Sequence, residues 1–154
     1  MKKISVILLI IFSVFLLTSC EKIKETPDGY EFIDLLYQVQ VGAIDRAVVI
    51  DVRPLNDGTD NDYESGHVIG ALNYQPNSKN QEEFIEWITS IKVKETDVFI
   101  YDNGNLEYKE ILPYLQEAGY KHITVFTDGY SVLKAYGDFL MKIEEATGID
   151  DCGC

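Results

Sequence analysis

The chain is poor in three things, and each scarcity narrows what it can be. Cysteine is nearly absent: of 154 residues only Cys20, Cys152 and Cys154 carry a thiol. Any thiol chemistry must therefore come from the two ends of the chain. Positive charge is scarce as well, with 13 Lys and Arg against 26 Asp and Glu, a formal charge of −13. A protein so acidic is repelled by phosphate backbones and by anionic lipid headgroups, so nucleic acid is not an expected partner. Long apolar stretches are also few. The longest, Val6 to Leu17, is interrupted only by Ser13, and it is short of the roughly 20 residues that a membrane span needs.

That stretch reads instead as the core of a secretion signal. Lys2 and Lys3 supply the positive start, and the run ends in Leu17-Thr18-Ser19-Cys20. This ending resembles the lipobox of bacterial lipoproteins, in which the cysteine receives diacylglycerol and becomes the new N-terminus. The resemblance implies cleavage of residues 1–19, lipidation of Cys20, membrane lipid as a partner through Cys20, and an extracytoplasmic, lipid-anchored location. An uncleaved anchor, or an ordinary cleaved signal with Cys20 incidental, are the plainer readings. Loss of Lys2 and Lys3 takes the formal charge from −13 to −15, so acyl chains rather than a basic patch would have to hold the protein at the bilayer. The mature chain is the size of one domain and long enough to bury a core.

Residues 20–29 are polar and close on Pro27-Asp28-Gly29, the composition of a short tether ending in a turn. Phe32, Ile33, Leu35, Leu36 and Val39 are spaced for an amphipathic helix from Glu31 to about Val41. Ala47 to Val52 is a short apolar run rich in β-branched residues, as expected of a strand buried on both faces of a parallel sheet. Residues 54–66 are dense in Asp, Asn and Gly and read as loop. A short strand around Ala71–Tyr74 precedes a helix from Gln81 to about Ile91, and Asp97–Tyr101 is a third strand. After a polar break at Asp102–Asn105 a helix is expected from Leu106 to Ala118. Pro113 offers a place for a bend in it, and Gly119 a C-cap. His122–Phe126 is a fourth strand, Thr127-Asp128-Gly129 a turn, and Tyr130 to about Glu145 closing helix. The alternation predicts a doubly wound α/β domain with a central parallel sheet flanked by helices, and ligands in such folds bind beyond the carboxyl ends of the strands.

Three segments together resemble the rhodanese family. Ile50-Asp51-Val52-Arg53 is similar to its strand-end Asp-x-Arg. Asp62-Tyr63-Glu64-Ser65-Gly66-His67-Val68-Ile69-Gly70-Ala71-Leu72-Asn73 is similar to its acidic-aromatic pair followed by Gly-His-Ile-x-Gly-Ala-x-Asn. Leu115–Tyr120, His122–Phe126 and Asp128-Gly129 resemble its Ala-Gly-Phe/Tyr helix end, next strand and turn. The resemblance implies one rhodanese-like domain over residues 30–146, followed by a Cys-containing tail at 147–154. It also implies an active loop directly after Tyr101, where family members carry a nucleophilic cysteine, a Gly three positions on and an Arg five positions on. Here those positions are Asp102, Asn105 and Glu107, in the loop Asp102-Asn103-Gly104-Asn105-Leu106-Glu107. A carboxylate cannot form a persulfide, and Glu107 repels thiosulfate-like anions. The expectation is a rhodanese-like domain without the usual sulfurtransferase activity, acting as a binding or scaffolding module without cofactor or metal.

Asp102 has three readings at this level. It can cap the loop by accepting nearby N–H groups, bind a cation or amine with Glu107 or Asp51, or act as a nucleophile. Asp51, Arg53 and His67 match family positions and are read as hydrogen-bonding supports of the loop and sheet edge. In the tail, Cys152-Gly153-Cys154 can close a strained, labile disulfide, sit idle, bind a soft metal, or supply the thiol that the loop lacks. That last reading makes the rival function: an atypical thiol-dependent sulfurtransferase or redox protein working through Cys152 and Cys154.

Overall fold

The computed structural model describes residues 22–76, 81–90 and 95–140. The signal segment, Cys20, Ile91, the chain beyond Leu140, and Cys152 and Cys154 lie outside the described residues. Five strands form one sheet: β1 (Lys22–Thr26), β2 (Ala47–Asp51), β3 (Leu72–Asn73), β4 (Asp97–Tyr101) and β5 (His122–Phe126). They run in the order β1-β5-β4-β2-β3, and every neighbouring pair is parallel. Among the described residues four α-helices cover the two faces: α1 (Gly29–Gln40), α2 (Gln81–Ser90), α3 (Leu112–Ala118) and α4 (Tyr130–Leu140). The chain forms the single α/β domain that the alternation of elements predicts.

The β-branched runs explain the two cores. Alternate residues of β2, β4 and β5 point to opposite faces. Val49, Phe99, Tyr101 and Phe126 meet Phe32, Ile33 and Leu36 of α1 and Leu133 of α4 on one side. Ile50, Val98, Ile100, Ile123 and Val125 meet Ile88 of α2, Ile111 just before α3 and Leu115 within it on the other. Each fully buried side chain of this size contributes about 1.5–3 kcal/mol of transfer free energy, so the central strands are held from both faces. Phe32 packs its ring against Phe99 and Phe126 at centroid distances of 6.1 and 5.4 Å.

Two elements differ from the sequence expectation. Lys22–Thr26, expected to be part of a tether, is the edge strand β1, in register with β5 from Lys22 beside His122 to Thr26 beside Phe126. Edge strands carry charged residues because one side remains in water, so the segment lacks the apolar run of a central strand. Ile23 packs against the core. Tyr108 donates its hydroxyl to Glu25 at 2.8 Å, and Thr26 is buried with its hydroxyl on Glu31 at 2.8 Å. Lys24 pairs with Glu31, and Asp28 caps α1 by accepting from the N–H groups of Tyr30 and Glu31 at 3.0 and 3.2 Å.

The second difference is at 106–118. A 3-10 turn, Glu107–Glu110, precedes α3, and Pro113 stands in the first turn of α3. Proline has no N–H to donate and its ring meets the carbonyl four residues back, so one continuous helix is not available and the chain restarts at Leu112. Gly119 closes α3 at φ 86°.

Candidate functional site

The direction of the chain reverses between β2 and β4. From β2 the chain moves outward to β3, and from β4 it moves the other way to β5. Ligands of open α/β sheets bind outside the carboxyl ends of strands at such a switch, and there the loops 54–66 and 102–107 meet.

Asp51 ends β2 and Arg53 follows it, both with fully buried side chains. Arg53 Nε donates to Asp51 Oδ1 and Oδ2 at 3.0 and 3.1 Å, and its Nη2 donates to Oδ2 at 2.7 Å. The remaining donors reach across the long loop, Nη1 to the Asn61 carbonyl at 3.2 Å and Nη2 to the Gly66 carbonyl at 2.6 Å. The guanidinium carbon lies 3.5 Å from the centre of the Tyr130 ring. Burial works against this charge, but the hydrogen bonds and attraction of Asp51 outweigh it and hold the guanidinium pKa above its ordinary value. Asn73 closes the strand end by donating Nδ2 to the Arg53 carbonyl at 2.8 Å and the Asp51 carbonyl at 3.2 Å. One buried cation therefore ties β2, the middle and the far end of the 54–66 loop and α4 together.

His67 stacks on Tyr63 with ring centres 3.8 Å apart, and its Nδ1 lies 3.0 Å from the Tyr63 carbonyl. Tyr63 donates its hydroxyl to the Ala71 carbonyl at 2.8 Å. Tyr101, fully buried at the end of β4, accepts from the Val68 N–H at 3.0 Å. Burial, with the Asp51 charge adding to it, drives the Tyr101 pKa well above that of an ordinary phenol, so this hydroxyl stays protonated as a hinge between the two loops.

Asp102 is wholly buried. Its Oδ1 accepts the Gly104 N–H at 2.6 Å and its Oδ2 the Tyr108 N–H at 3.3 Å, while its carbonyl accepts the Tyr130 N–H at 2.8 Å. The carboxylate thus occupies backbone donors of the loop and of the 3-10 turn, the kind of arrangement that elsewhere holds an anionic ligand. Gly129 presses on the loop from outside. It sits at φ 89°, and a Cβ there would lie 2.7 Å from the Asn103 carbonyl carbon and oxygen. Asn103 donates Nδ2 to the Asn61 carbonyl at 3.3 Å, linking the two loops, while its Oδ1 is buried without a hydrogen-bond partner among the described residues. Leu106, exposed at 47%, has φ 67°, a left-handed conformation that costs an L-residue about 1–2 kcal/mol. Burial raises the Glu107 pKa, and the like charges of Asp102 and Glu110 add to it against an opposing hydrogen bond with Asn105. Beside the loop, burial and the Glu25 carboxylate push the Tyr108 phenol up to about 12.

The sequence profile of the rhodanese-like domain family matches residues 36–136. The chain belongs to this family. Among solved structures it is similar to the rhodanese-like domain of a protein from Anabaena sp., at 23% identity and a TM-score of 0.50, with 69% of this chain and 72% of that one covered. It is also similar to a protein from Bacillus halodurans at 15% identity and a TM-score of 0.54, with 88% and 85% covered. At these identities the likeness concerns the fold. No curated protein matches the chain.

Within this rhodanese-like domain, Asp51, Arg53 and His67 converge with the 102–107 loop at one pole of the sheet. Asp51 and Arg53 face each other directly, whereas His67 engages Tyr63 and does not meet Asp102 through any hydrogen bond described. Asn105, Leu106 and Glu107 lie on the outer side of the loop, Asn105 and Leu106 exposed and Glu107 partly so. Sequence reasoning missed Asn61, Tyr101 and Tyr130. Their partners are 8 to 77 positions away, and the only local signal was an aromatic residue at the end of β4 and another after the Asp128-Gly129 turn. Two surface cavities lie elsewhere. One of about 290 Å³ is lined by Leu72, Asn73, Glu83, Phe84 and Trp87, and one of about 560 Å³ by Tyr30, Ser131, Val132, Ala135 and Tyr136. Among the described residues no group of three or more His, Cys, Asp or Glu side chains could hold a metal ion.

Proposed function

We propose that this is a lipid-anchored, extracytoplasmic rhodanese-like domain that binds or scaffolds a partner and does not relay sulfur through its family loop. The observation that carries this reading is the Asp102 carboxylate. It stands directly after β4, where the family resemblance places a cysteine, and accepts the Gly104 and Tyr108 N–H groups itself. A buried carboxylate in that place offers no nucleophilic sulfur and blocks an incoming anion from the same donors. Glu107, at the position that the resemblance assigns to an anion-attracting Arg, adds repulsion. The anchoring half of the reading rests on the Leu17-Thr18-Ser19-Cys20 ending of the apolar run.

The test is a sulfur-transfer assay from thiosulfate to a thiol acceptor, together with dithiol oxidation, on wild type and on Cys152→Ser/Cys154→Ser. No turnover is expected in either protein. Turnover lost in the double variant would overturn the binding-module reading in favour of a thiol enzyme built on the tail. Asp102→Cys is the complementary experiment. The loop donors that now hold a carboxylate should hold a thiolate and bring its pKa well below the ordinary value of about 8.5. An unshifted thiol would refute the assignment of the loop as an anion cradle.

A further inference from the structure

The proposal for the anchor leaves open which way the domain faces, and the fold constrains it. If Cys20 is lipidated, as the lipoprotein reading holds, chain length limits the choice. Cys20 stands two residues before Lys22, the first residue of β1, and two extended residues reach only about 7 Å. All five strands are parallel, and Lys22, Ala47, Asp97 and His122 are in register at one end of the sheet. The lipid would therefore be attached at the amino-end pole with almost no slack, whereas Asp51 and Asp102 end or follow strands at the opposite pole.

Charge is divided along the same axis. The loops at the carboxyl ends carry Asp57, Asp60, Glu64, Glu107, Glu110 and Asp128, exposed or partly so, with Lys109 exposed among them and Arg53 fully buried. The amino-end pole is mixed. Arg46, Lys121 and His122 are exposed there, beside the exposed acids Asp45 and Glu95 and the half-buried Asp97. Tyr37 and Val41, one turn apart at the end of α1, are 50% and 56% exposed on this side. Tyrosine favours the headgroup region of bilayers because its ring is apolar and its hydroxyl wet. A five-residue strand spans about 13 Å, more than the roughly 8 Å over which charges are felt at physiological salt. With the amino-end pole down, the acidic loops escape the repulsion of anionic headgroups; inverted, they meet it in full.

We propose that the amino-end pole, with Tyr37, Val41, Arg46 and Lys121 at its surface, rests on the bilayer that holds Cys20, so that the Asp102 loop faces away from the membrane. A partner would then approach that loop from the extracytoplasmic side, not from the plane of the membrane. The test uses the processed protein purified from membranes and returned to phosphatidylethanolamine and phosphatidylglycerol vesicles containing a headgroup-linked quencher. In a Cys152→Ser/Cys154→Ser background, a fluorophore is attached at Ala43→Cys or at Asp60→Cys, both exposed positions at opposite poles. Lys121→Cys and Asp128→Cys repeat the comparison with an independent pair. The labels at 43 and 121 should be quenched severalfold more than those at 60 and 128. Equal or reversed quenching, with diacylglycerol found on Cys20 by mass spectrometry, would overturn the orientation and leave the lipoprotein reading standing. An N-terminus without diacylglycerol on Cys20 would overturn that reading and the seating with it.

Discussion

Arg53→Met is the change that most directly tests how the site pole is held. Methionine matches the length of the arginine stem but removes every donor. The Asp51 carboxylate would keep the Arg53 backbone N–H at 2.9 Å and lose the three side-chain contacts at 2.7–3.1 Å. Neither side chain of the pair reaches solvent, so the orphaned carboxylate has no water to turn to. Removing one member of a buried pair costs about 3–5 kcal/mol. The carbonyls of Asn61 and Gly66 lose their donors in the same step. In a domain of this size each kcal/mol moves Tm by roughly 2–4 °C, so the midpoint should fall by about 10 °C. The assay is thermal melting for Tm and urea denaturation for the free energy of the mature protein, paired with the double variant Asp51→Asn/Arg53→Met. Because the double variant no longer buries an unpaired charge, it should be more stable than Arg53→Met alone, with the cycle showing a coupling above about 1 kcal/mol. A single-variant cost below about 1 kcal/mol, or strict additivity in the cycle, would refute the view that this ion pair fastens the loops.

Three further changes probe the loop itself. Leu106→Gly should stabilise the protein by about 0.5–1 kcal/mol, because glycine accepts φ 67° without strain and little packing is lost from a half-exposed side chain; a lower urea midpoint would show that the Leu106 side chain holds the loop. Gly129→Ala should cost more than about 3 kcal/mol, since the added Cβ meets the Asn103 backbone at 2.7 Å at a positive φ; a Tm within a few degrees of wild type would mean that the turn and loop are not in firm contact. Glu107→Gln should raise stability at pH 7 by about 0.5 kcal/mol. The folded pKa of Glu107 is raised by burial, so ionisation works against the fold as pH rises through that value. At about pH 3, below the ordinary carboxylate range, wild type and variant should melt together; a constant offset at both pH values would dismiss the charge as the cause.

How much of this was legible in the sequence depended on whether the partner was near or far. β2, β4 and β5 were readable because burial on both faces leaves an uninterrupted β-branched run, and α1 because Phe32, Ile33 and Leu36 recur at helical spacing. β1 was not, since Lys22-Ile23-Lys24-Glu25-Thr26 has the polar surface that an edge strand needs and gains its stability from Tyr108, 83 positions from Glu25, and from Val125 and Phe126, about a hundred positions from their partners. The break between the 3-10 turn and α3 was half visible in Pro113, whose missing N–H suits only the first turn of a helix. At the site, Asp51, Arg53, His67 and Asp102 were singled out only by the family resemblance. What they touch was not readable: the Tyr130 ring over Arg53 and the Tyr101 hydroxyl on the Val68 N–H exist only once β4 lies beside β2 and β5 beside β4.

The same contacts bear on what the pole can bind. The donors that a cradle would offer an anion are engaged from within, the Gly104 and Tyr108 N–H groups by Asp102 and the Tyr130 N–H by its carbonyl. The Arg53 guanidinium, the nearest buried cation, is spent on Asp51, Asn61 and Gly66. An anionic small molecule would have to displace a covalently attached carboxylate whose effective concentration no free ligand matches. What stays open is the outside of the loop: Asn105 and Leu106 at its tip, with Asp57, Asp60 and Asp128 exposed around it. If this surface binds a partner, as proposed, its acidity favours positive charge and a contact area wider than one small ion, which a protein segment supplies better than a metabolite. On the proposed reading, the Asp102 carboxylate that keeps sulfur chemistry out of the loop also leaves recognition to its outer face.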